Sequence, residues 1–234
     1  YGTKEQKEKY LPRLCKTHLW GFGLTEETAG CDSRGTKSTA YLEGDKWILN
    51  GSKIFITNSA TPMTLGSTVQ VVSGEKDGKP EFTTFLMEND TPGFTQEPMN
   101  RKMMWRASNT GRLTFNNVEL SKDNMLGKPG QGSHIMLATL DGGRLSIAAM
   151  GLGCAQGAYE MALAYSKERE QFGKQICKFQ AVSFKLADMA MKIEAARCLL
   201  YKACRIKDAG MPFGKEAAMA KLYCSEVAAE VCDN

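Results

Sequence analysis

The spacing of apolar residues changes twice along the chain. Residues 4–15 place Tyr10, Leu11 and Leu14 on one side and charged residues on the other, which predicts a short helix with one face in solvent. From about residue 18 to residue 125 the apolar residues fall in short runs typical of β-strands. From His134 to the end they recur at helical spacing. The pattern therefore predicts a short helix, then a β-domain, then a helical domain.

The predicted β-domain contains several runs separated by Gly, Pro, Asn and Asp, the residues that favour turns. Asn50-Gly51 stands between two apolar runs, and this pair predicts a two-residue hairpin turn. Several antiparallel strands at this spacing indicate a compact barrel or sandwich of about 100 residues. The runs are 46–58, 67–74, 81–88 and 111–120.

The predicted helical domain contains three helices, the first from His134 to about Arg169. The second covers about 179–209, and the third begins near Lys215, because Gly210 and Pro212 interrupt the pattern between them. A glycine inside a helix costs up to ~1 kcal/mol relative to alanine. We therefore expect a ligand or another backbone to approach the first helix closely at its glycines, which are Gly142, Gly143, Gly151, Gly153 and Gly157.

Composition narrows the class of protein. With 42% hydrophobic residues among 234, the chain can bury a sizeable core, which excludes wholesale disorder. A net charge of +4 without a basic tract disfavours nucleic-acid binding. We expect no membrane span, because no run of 18 or more apolar residues occurs. His18 and His134 are the only histidines, which leaves little room for a histidine-based metal site or catalytic triad.

The eight cysteines are spread along the chain with no C-x-x-C pair. This spacing disfavours a zinc site and a secreted disulfide framework. Reduced thiols in a cytosol-like compartment fit the pattern better. The cysteines are Cys15, Cys31, Cys154, Cys177, Cys198, Cys204, Cys224 and Cys232.

Two segments of the β-domain carry candidate chemistry. The segment from Phe22 to Gly35 runs from a strand into a loop of small residues, through which backbone N–H groups can approach a polar ligand. An ordinary tight turn would have the same composition. In the second segment Phe55 and Thr57 share one strand face by period two. An aromatic ring beside a hydroxyl suits a flat heterocycle, although a half-buried structural strand is the alternative.

These two segments, together with several others in the same order as in the family, resemble the acyl-CoA dehydrogenases. The resemblance is nearest to the short-chain, butyryl-CoA branch of that family. The resemblance covers essentially the whole chain. The segments are LTEETAGCD (24–32), LNGSKIFITN (49–58), LDGGRLSIAA (140–149), KEREQFGK (167–174), FQAVSFKLADMA (179–190) and KEAAMAKLYCSEVA (215–228).

The resemblance implies an α+β multidomain fold, with a central antiparallel β-barrel-like domain followed by an up-down helical bundle. Residues 1–17 would end an N-terminal helical domain that is mostly missing. Residues 18–127 would form the middle β-domain, and residues 128–234 a truncated C-terminal helical domain. The chain is expected to be an internal fragment.

The resemblance also implies FAD as cofactor. Phe22, Leu24 and Thr25 match the strand and loop that bind the isoalloxazine ring. The strand of Phe55, Ile56 and Thr57 would pack beside the ring, with the Thr57 hydroxyl near N5, which receives hydride. Cys31 falls where family members usually carry Ser or Thr near the FAD pyrophosphate and the CoA moiety. Since a thiol is a weaker donor than a hydroxyl, this contact is expected to be weakened. Glu27 replaces the usual Pro, which should loosen the loop.

Three further residues match positions that contact FAD of a neighbouring subunit. Arg169 would pair with the pyrophosphate, which suits a fixed cation, and Phe172 would approach the adenine. Gln180 matches another cofactor position across the interface. The implied assembly is a homo-oligomer, usually a tetramer. By itself the segment 167–174 is also typical of a charged helix end stopped by Gly173.

The substrate implied by the resemblance is an acyl-CoA. Asp141 and Arg144 share a helix face at i,i+3 and match positions beside the CoA adenosine. An exposed ion pair worth under ~1 kcal/mol is the simpler interpretation. Ser108 matches a contact to CoA phosphate, with Arg106 beside it, although the stretch MMWRAS departs from the usual family pattern. Cys31 also counts among these candidate substrate contacts.

The implied reaction is FAD-dependent α,β-dehydrogenation of a short-chain acyl-CoA to the trans-2-enoyl-CoA, with electrons passed to an electron-transferring flavoprotein. An acyl-CoA oxidase or flavin monooxygenase relative, and a catalytically silent scaffold of the same fold, are the alternatives. The expected compartment is the bacterial cytoplasm or the mitochondrial matrix.

The reaction needs a carboxylate that removes the α-proton. One branch of the family places it where this chain has Gly143, which excludes that branch. Other members place it in a loop that would lie beyond Asn234, so no catalytic base is assigned within the chain. Glu160, Glu168 and Glu194 are expected to be solvated on helix faces.

Overall fold

The computed structural model describes residues 1–234. They divide into two compact units, Tyr1–Leu137 and Ala138–Asn234. The first unit begins with the predicted short helix, α1 (Lys4–Leu14), whose N-terminus is closed by a capping box between Thr3 and Gln6. The Gln6 amide also donates to the carbonyl oxygens of Asp123 and Met125, at 2.8 and 2.9 Å. These bonds attach α1 to the rest of its unit.

Eight strands form the sheet of the first unit, and the predicted runs 67–74, 81–88 and 111–120 each lie within one strand. In spatial order the main path is β6-β7-β3-β2-β4-β5-β8, and β1 pairs with β4. The sheet is mixed rather than purely antiparallel, because both β1 and β2 pair parallel to β4. The strands are β1 (Leu19–Gly23), β2 (Thr39–Glu43), β3 (Lys46–Thr57), β4 (Thr64–Lys76), β5 (Lys79–Glu88), β6 (Phe94–Pro98), β7 (Thr110–Leu120) and β8 (Met125–Leu126).

The prediction of a hairpin turn at Asn50-Gly51 is wrong. Both residues lie inside β3, where the pairing with β7 shifts register between Leu49 and Gly51 as at a β-bulge. The Asn50 side-chain amide donates to Asn117 Oδ1 of β7 at 3.0 Å, and its Oδ1 accepts from the Asn117 backbone N–H at 2.9 Å. Gly51 has a φ of +132°, and a Cβ there would lie 2.4 Å from Ser38 Oγ. Tertiary contacts on both sides therefore keep this pair in the strand.

The hairpin turns of the sheet lie elsewhere. Gly44-Asp45 joins β2 to β3, and Asp77-Gly78 joins β4 to β5. Asp77 and Gly78 have φ values of +53° and +71°, as a type I′ turn requires. The buried face of this sheet forms the core of the first unit, which includes Leu49, Val69, Val71, Phe85, Met87, Leu113 and Val118.

Three long helices form most of the second unit, as predicted. The helix α2 (Gly132–Glu168) begins six residues before this unit, and a two-stranded hairpin, β9 (Glu170–Gln171) and β10 (Lys174–Gln175), follows it. The helices α3 (Gln180–Asp208) and α4 (Gly214–Asp233) complete the unit. Fully buried alanines on all three helices allow close packing, and they are Ala148, Ala155, Ala196, Ala203, Ala217 and Ala220.

The glycines of α2 differ in their surroundings. A Cβ at Gly151 would lie 3.0 Å from the Cys224 carbonyl oxygen of α4, so the expected close backbone approach is confirmed there. A Cβ at the other four would meet nothing within 4 Å. By length and composition alone, α2 is also long and apolar enough to cross a membrane, a property that core helices of proteins without membrane spans share.

Candidate functional site

A buried ion pair lies behind the two candidate segments of the β-domain. The Lys53 side chain on β3 is 0% exposed, and its Nζ donates to Glu26 Oε1 at 2.8 Å and to the Leu24 carbonyl at 3.2 Å. The Glu26 carboxylate also accepts from the backbone N–H groups of Lys37 (2.7 Å) and Ser38 (3.2 Å). Each charge is thus compensated by several hydrogen bonds, as burial of ions requires.

For both Lys53 and Glu26, burial shifts the pKa in one direction and hydrogen bonding shifts it in the other. Burial is the strongest influence on Lys53 and lowers its pKa, because it disfavours the ammonium, while the bond to Glu26 opposes this shift. Burial alone would raise the pKa of Glu26. The combined hydrogen bonds from Lys53, Lys37 and Ser38 instead hold the Glu26 pKa below its usual value. Three donors converging on one carboxylate favour its ionised form.

The candidate residues Thr25, Phe55 and Thr57 lie on the two segments that this pair joins. The Ile54 N–H donates to the Thr25 carbonyl at 2.9 Å, which holds the loop against β3. Phe55 is 62% exposed with a φ of +61°, a left-handed conformation that is costly for an aromatic residue. Thr57 is exposed and Thr25 half-buried, and neither hydroxyl has a hydrogen-bond partner in the chain. The site thus presents an aromatic ring and two free hydroxyls.

The other residues of these segments are less accessible. Leu24 and Ile56 are 8% and 2% exposed, so their side chains belong to the core and only their backbone groups are available to a ligand. The Leu24 carbonyl is already bonded to Lys53. Phe22 is half-buried on β1, where it pairs with Thr68 of β4.

The loop that follows Thr25 is open to solvent. Cys31 is exposed with a free thiol, and a Cβ at Gly30 would meet nothing within 4 Å. Glu27 forms an exposed ion pair with Arg112 of β7. Consecutive glutamates therefore hold the loop from two directions, Glu26 through the buried Lys53 and Glu27 through the exposed Arg112.

Ser108 lies in the loop between β6 and β7 and lines an open cleft of about 690 Å³. The cleft contains three cations, Arg101, Lys102 and Arg106, and its lining includes no carboxylate. Lys102 Nζ donates to the Ser108 carbonyl and to Thr110 Oγ1. Its charge therefore helps to order the loop, and the cleft is suited to an anion.

In the second unit Asp141 and Arg144 form the ion pair that their spacing predicts, with both side chains partly exposed. The Asp141 carboxylate also lies beside the start of α4, since a Cβ at Gly214 would be 3.3 Å from Asp141 Oδ2. An anion at a helix N-terminus is stabilised by the helix dipole. A structural role thus accounts for the pair without any ligand.

Arg169, Phe172 and Gln180 all belong to the connection between α2 and α3 or to the first residue of α3. Arg169 and Gln180 are exposed, and the Arg169 guanidinium forms no ion pair within the chain. Phe172 is 91% exposed with a φ of +52° and makes an edge contact with Phe179. An exposed ring in the left-handed region therefore occurs at Phe172 as well as at Phe55.

The remaining candidates are carboxylates that could act as acids or bases and side chains that could bind a metal ion. Glu160, Glu168 and Glu194 are exposed, as expected, and Glu160 and Glu194 accept hydrogen bonds from neighbouring side chains. No group of three or more His, Cys, Asp and Glu residues could hold a metal ion.

Both units match known domains of one class of flavoprotein. Residues 21–118 match the family model described as acyl-CoA dehydrogenase, middle domain, and residues 130–234 match acyl-CoA dehydrogenase, C-terminal domain. Together the two matches cover most of the chain. The chain belongs to the acyl-CoA dehydrogenase family.

Individual relatives are similar along nearly the whole chain. A Megasphaera elsdenii protein named acyl-CoA dehydrogenase, short-chain specific, is 47% identical over 233 residues, covering 99% of this chain and 60% of the relative. The solved structure of butyryl-CoA dehydrogenase from Megasphaera elsdenii is 46% identical with a TM-score of 0.92, covering 99% of this chain and 60% of that chain.

A chain in a solved structure described as the electron transferring flavoprotein of Acidaminococcus fermentans is 48% identical, again with a TM-score of 0.92 and the same two coverages. Relatives occur both among bacterial and among mitochondrial proteins. The chain spans about 60% of the length of the curated relatives that it matches.

Sequence reasoning missed Lys53 and Glu26. The available signal was a lysine directly before the apolar residues Ile54, Phe55 and Ile56 of a predicted strand, since a cation there must be exposed or paired. Its partner lies 27 residues away in the loop. Sequence spacing alone does not connect them.

Proposed function

We propose that the protein with this chain is an FAD-dependent acyl-CoA dehydrogenase. It converts a short-chain acyl-CoA to the trans-2-enoyl-CoA and passes electrons to an electron-transferring flavoprotein. The observation that carries the proposal is the exposed Phe55 at a φ of +61°, on a strand whose Ile54 N–H is bonded to the Thr25 carbonyl, together with the unpaired hydroxyls of Thr25 and Thr57. Identity of 46–48% to the relatives described above supports the short-chain substrate class.

The donor set fits a flavin. Thr25 and Thr57 hydroxyls would hydrogen-bond to the polar edge of the isoalloxazine, and the rings of Phe55 and Phe22 would cover its apolar surface. Leu24 and Ile56 would contribute backbone groups only, because their side chains are buried. When bound, FAD would supply the acceptor for hydride from the β-carbon of the substrate.

The pyrophosphate and adenine of FAD would be bound by Arg169, Phe172 and Gln180. Their shared position, the exposed guanidinium and the exposed ring suit a diphosphate and an adenine. In the proposed assembly, a homo-oligomer and specifically a tetramer, these residues contact FAD of a neighbouring subunit. Cys31 would contribute a weak polar contact near the pyrophosphate and CoA.

Substrate binding is proposed for Ser108 in its cationic cleft, which suits a CoA phosphate, and for Asp141 and Arg144 near the adenosine. None of Glu160, Glu168 and Glu194 is proposed as the proton-abstracting base, because each is exposed to solvent on a helix rather than enclosed in a site. The compartment is proposed to be bacterial cytoplasm or mitochondrial matrix.

Anaerobic reduction of the full-length protein tests the proposal. The purified protein should be yellow, and butyryl-CoA should bleach its flavin absorbance more completely than a long-chain acyl-CoA at equal concentration. An added electron-transferring flavoprotein should then restore the oxidised spectrum. No bleaching with any acyl-CoA would refute the dehydrogenase activity. Rapid peroxide formation in air without an added acceptor would indicate an oxidase instead.

A further inference from the structure

The burial of the charged Lys53 side chain in β3 is unfavourable unless the charge is compensated. Taking two charges out of water is unfavourable, and a buried ion pair commonly stabilises a fold no better than apolar residues of similar size. Lys53 is 0% exposed and Glu26 7% exposed. The network around them therefore points to a requirement of geometry rather than of stability.

The bonds of this network join three separate pieces of backbone. Lys53 belongs to β3 and donates to the Leu24 carbonyl just before the candidate loop. Glu26 belongs to that loop and accepts from the N–H groups of Lys37 and Ser38 next to β2. Directed hydrogen bonds fix distances and angles that apolar contacts leave adjustable. The pair thus determines how the loop lies on β3.

The groups proposed to bind flavin lie next to these bonds. Thr25 separates Leu24 from Glu26, and Phe55 follows Lys53 by two residues at a strained φ of +61°. The register of β3 against β7 shifts between Lys53 and Ile56, so this segment is not held by regular pairing. On the buried side of β3, the hydrogen bonds of Lys53 attach this segment to the loop.

We propose that Lys53 and Glu26 are positioning residues of the flavin site, which set the placement of Thr25 relative to Phe55 and Thr57. This inference rests on the proposed function. Neither residue touches the cofactor in this proposal, and both act through the loop and the strand that they join.

The exposed pair Arg112–Glu27 provides a matched control. It holds the same loop by the same kind of interaction, but its side chains are 39% and 58% exposed. Exposed pairs are screened by solvent and contribute little. Arg112→Met should therefore leave the FAD dissociation constant unchanged within about threefold.

The decisive variant is Lys53→Met/Glu26→Gln in the full-length protein. It removes both charges and leaves no unpaired buried ion, and the amide introduced by Glu26→Gln retains an oxygen that can accept from a backbone N–H. Lys53→Met alone leaves the buried Glu26 carboxylate without its cation, so it is the more disruptive variant. The measurements are thermal unfolding of the flavin-free protein, FAD affinity by fluorescence titration, and the absorption envelope of bound flavin.

The proposal expects the double variant to unfold near the wild-type temperature, to bind FAD at least about tenfold more weakly, and to shift the flavin absorption envelope. Wild-type FAD affinity and spectrum in the double variant would overturn it. Failure of the double variant to fold would also overturn it, because the pair would then serve the fold itself. A wild-type protein that binds no FAD would refute the proposed function as a whole.

Discussion

Gly151 of α2 lies directly against the backbone of Cys224 in α4, so that a Cβ at position 151 would be 3.0 Å from the Cys224 carbonyl oxygen. Gly153 is two residues away, where a Cβ would meet nothing within 4 Å. The two positions are in the same helix and differ in the space available. Alanine substitutions at both therefore separate helix propensity from packing.

We expect Gly153→Ala to raise the free energy of unfolding by about 0.5–1 kcal/mol, since alanine favours helix and no contact opposes it. Gly151→Ala should gain less or lose stability, because α4 must move to admit the methyl group. Urea unfolding of the two variants measures the difference. Equal gains would show that the helices do not approach closely at Gly151.

Gly51 tests the bulge in β3. Its φ of +132° is strained for any side chain, and a Cβ would lie 2.4 Å from Ser38 Oγ, so we expect Gly51→Ala to destabilise the protein by about 2 kcal/mol or more. Gly44→Ala is the control, because Gly44 also has a positive φ but open space. It should cost about 1 kcal/mol. Chemical unfolding of both variants checks this, and similar losses would exclude the contact with Ser38.

Phe55 links strain to the proposed cofactor. Asparagine tolerates the left-handed region better than phenylalanine, and little buried surface is lost at a side chain 62% exposed. Phe55→Asn should therefore preserve or raise the melting temperature of the flavin-free protein while lowering its FAD content after gel filtration. Tyr41→Asn, at another exposed aromatic of the sheet, should leave the FAD content unchanged. Full FAD content in Phe55→Asn would remove this residue from the site.

The lowered pKa of Glu26 predicts that the free energy of unfolding decreases at acidic pH. A carboxylate whose pKa is lower in the folded state binds fewer protons than in the unfolded chain, so its contribution is present above its ordinary pKa of 4.5 and is lost as the pH falls through the folded value. Between about pH 5 and about pH 3 the free energy of unfolding should fall more steeply for the wild type than for Glu26→Gln. Parallel curves from urea unfolding would contradict the shift.

Cys224 should be chemically silent in the folded protein. Burial raises its thiol pKa, and its Sγ lies 3.6 Å from the Ala196 carbonyl oxygen, so both thiolate formation and reagent access are suppressed. Cys232, exposed on the same helix, is the internal control. Mass-spectrometric labelling should modify Cys224 at least about 100-fold more slowly until denaturant is added. Equal rates would show that α4 opens readily from its neighbours.

Local patterns in the sequence predicted most of the elements, and several segments together indicated the family. Alternation and helical spacing placed α1, the strands β4, β5 and β7 and the three long helices within a few residues of their observed bounds, because each element's periodicity follows its own buried face. Gly210 and Pro212 marked the break between α3 and α4 for a local conformational reason. Phe55 and Thr57 are both exposed, although the register shift between Lys53 and Ile56 interrupts the regular alternation on which their common face was predicted.

Which of these residues meet depends on how distant segments pack in the fold. Asn50-Gly51 has the composition of a turn and became a bulge because Asn117 and Ser38 hold it, and neither lies next to it in sequence. The pairing of Lys53 with Glu26, and the close approach at Gly151 but not at Gly153, arise from strand register and helix packing. Local preferences are encoded in neighbouring residues, whereas these contacts depend on the relative placement of distant segments, which no local pattern records.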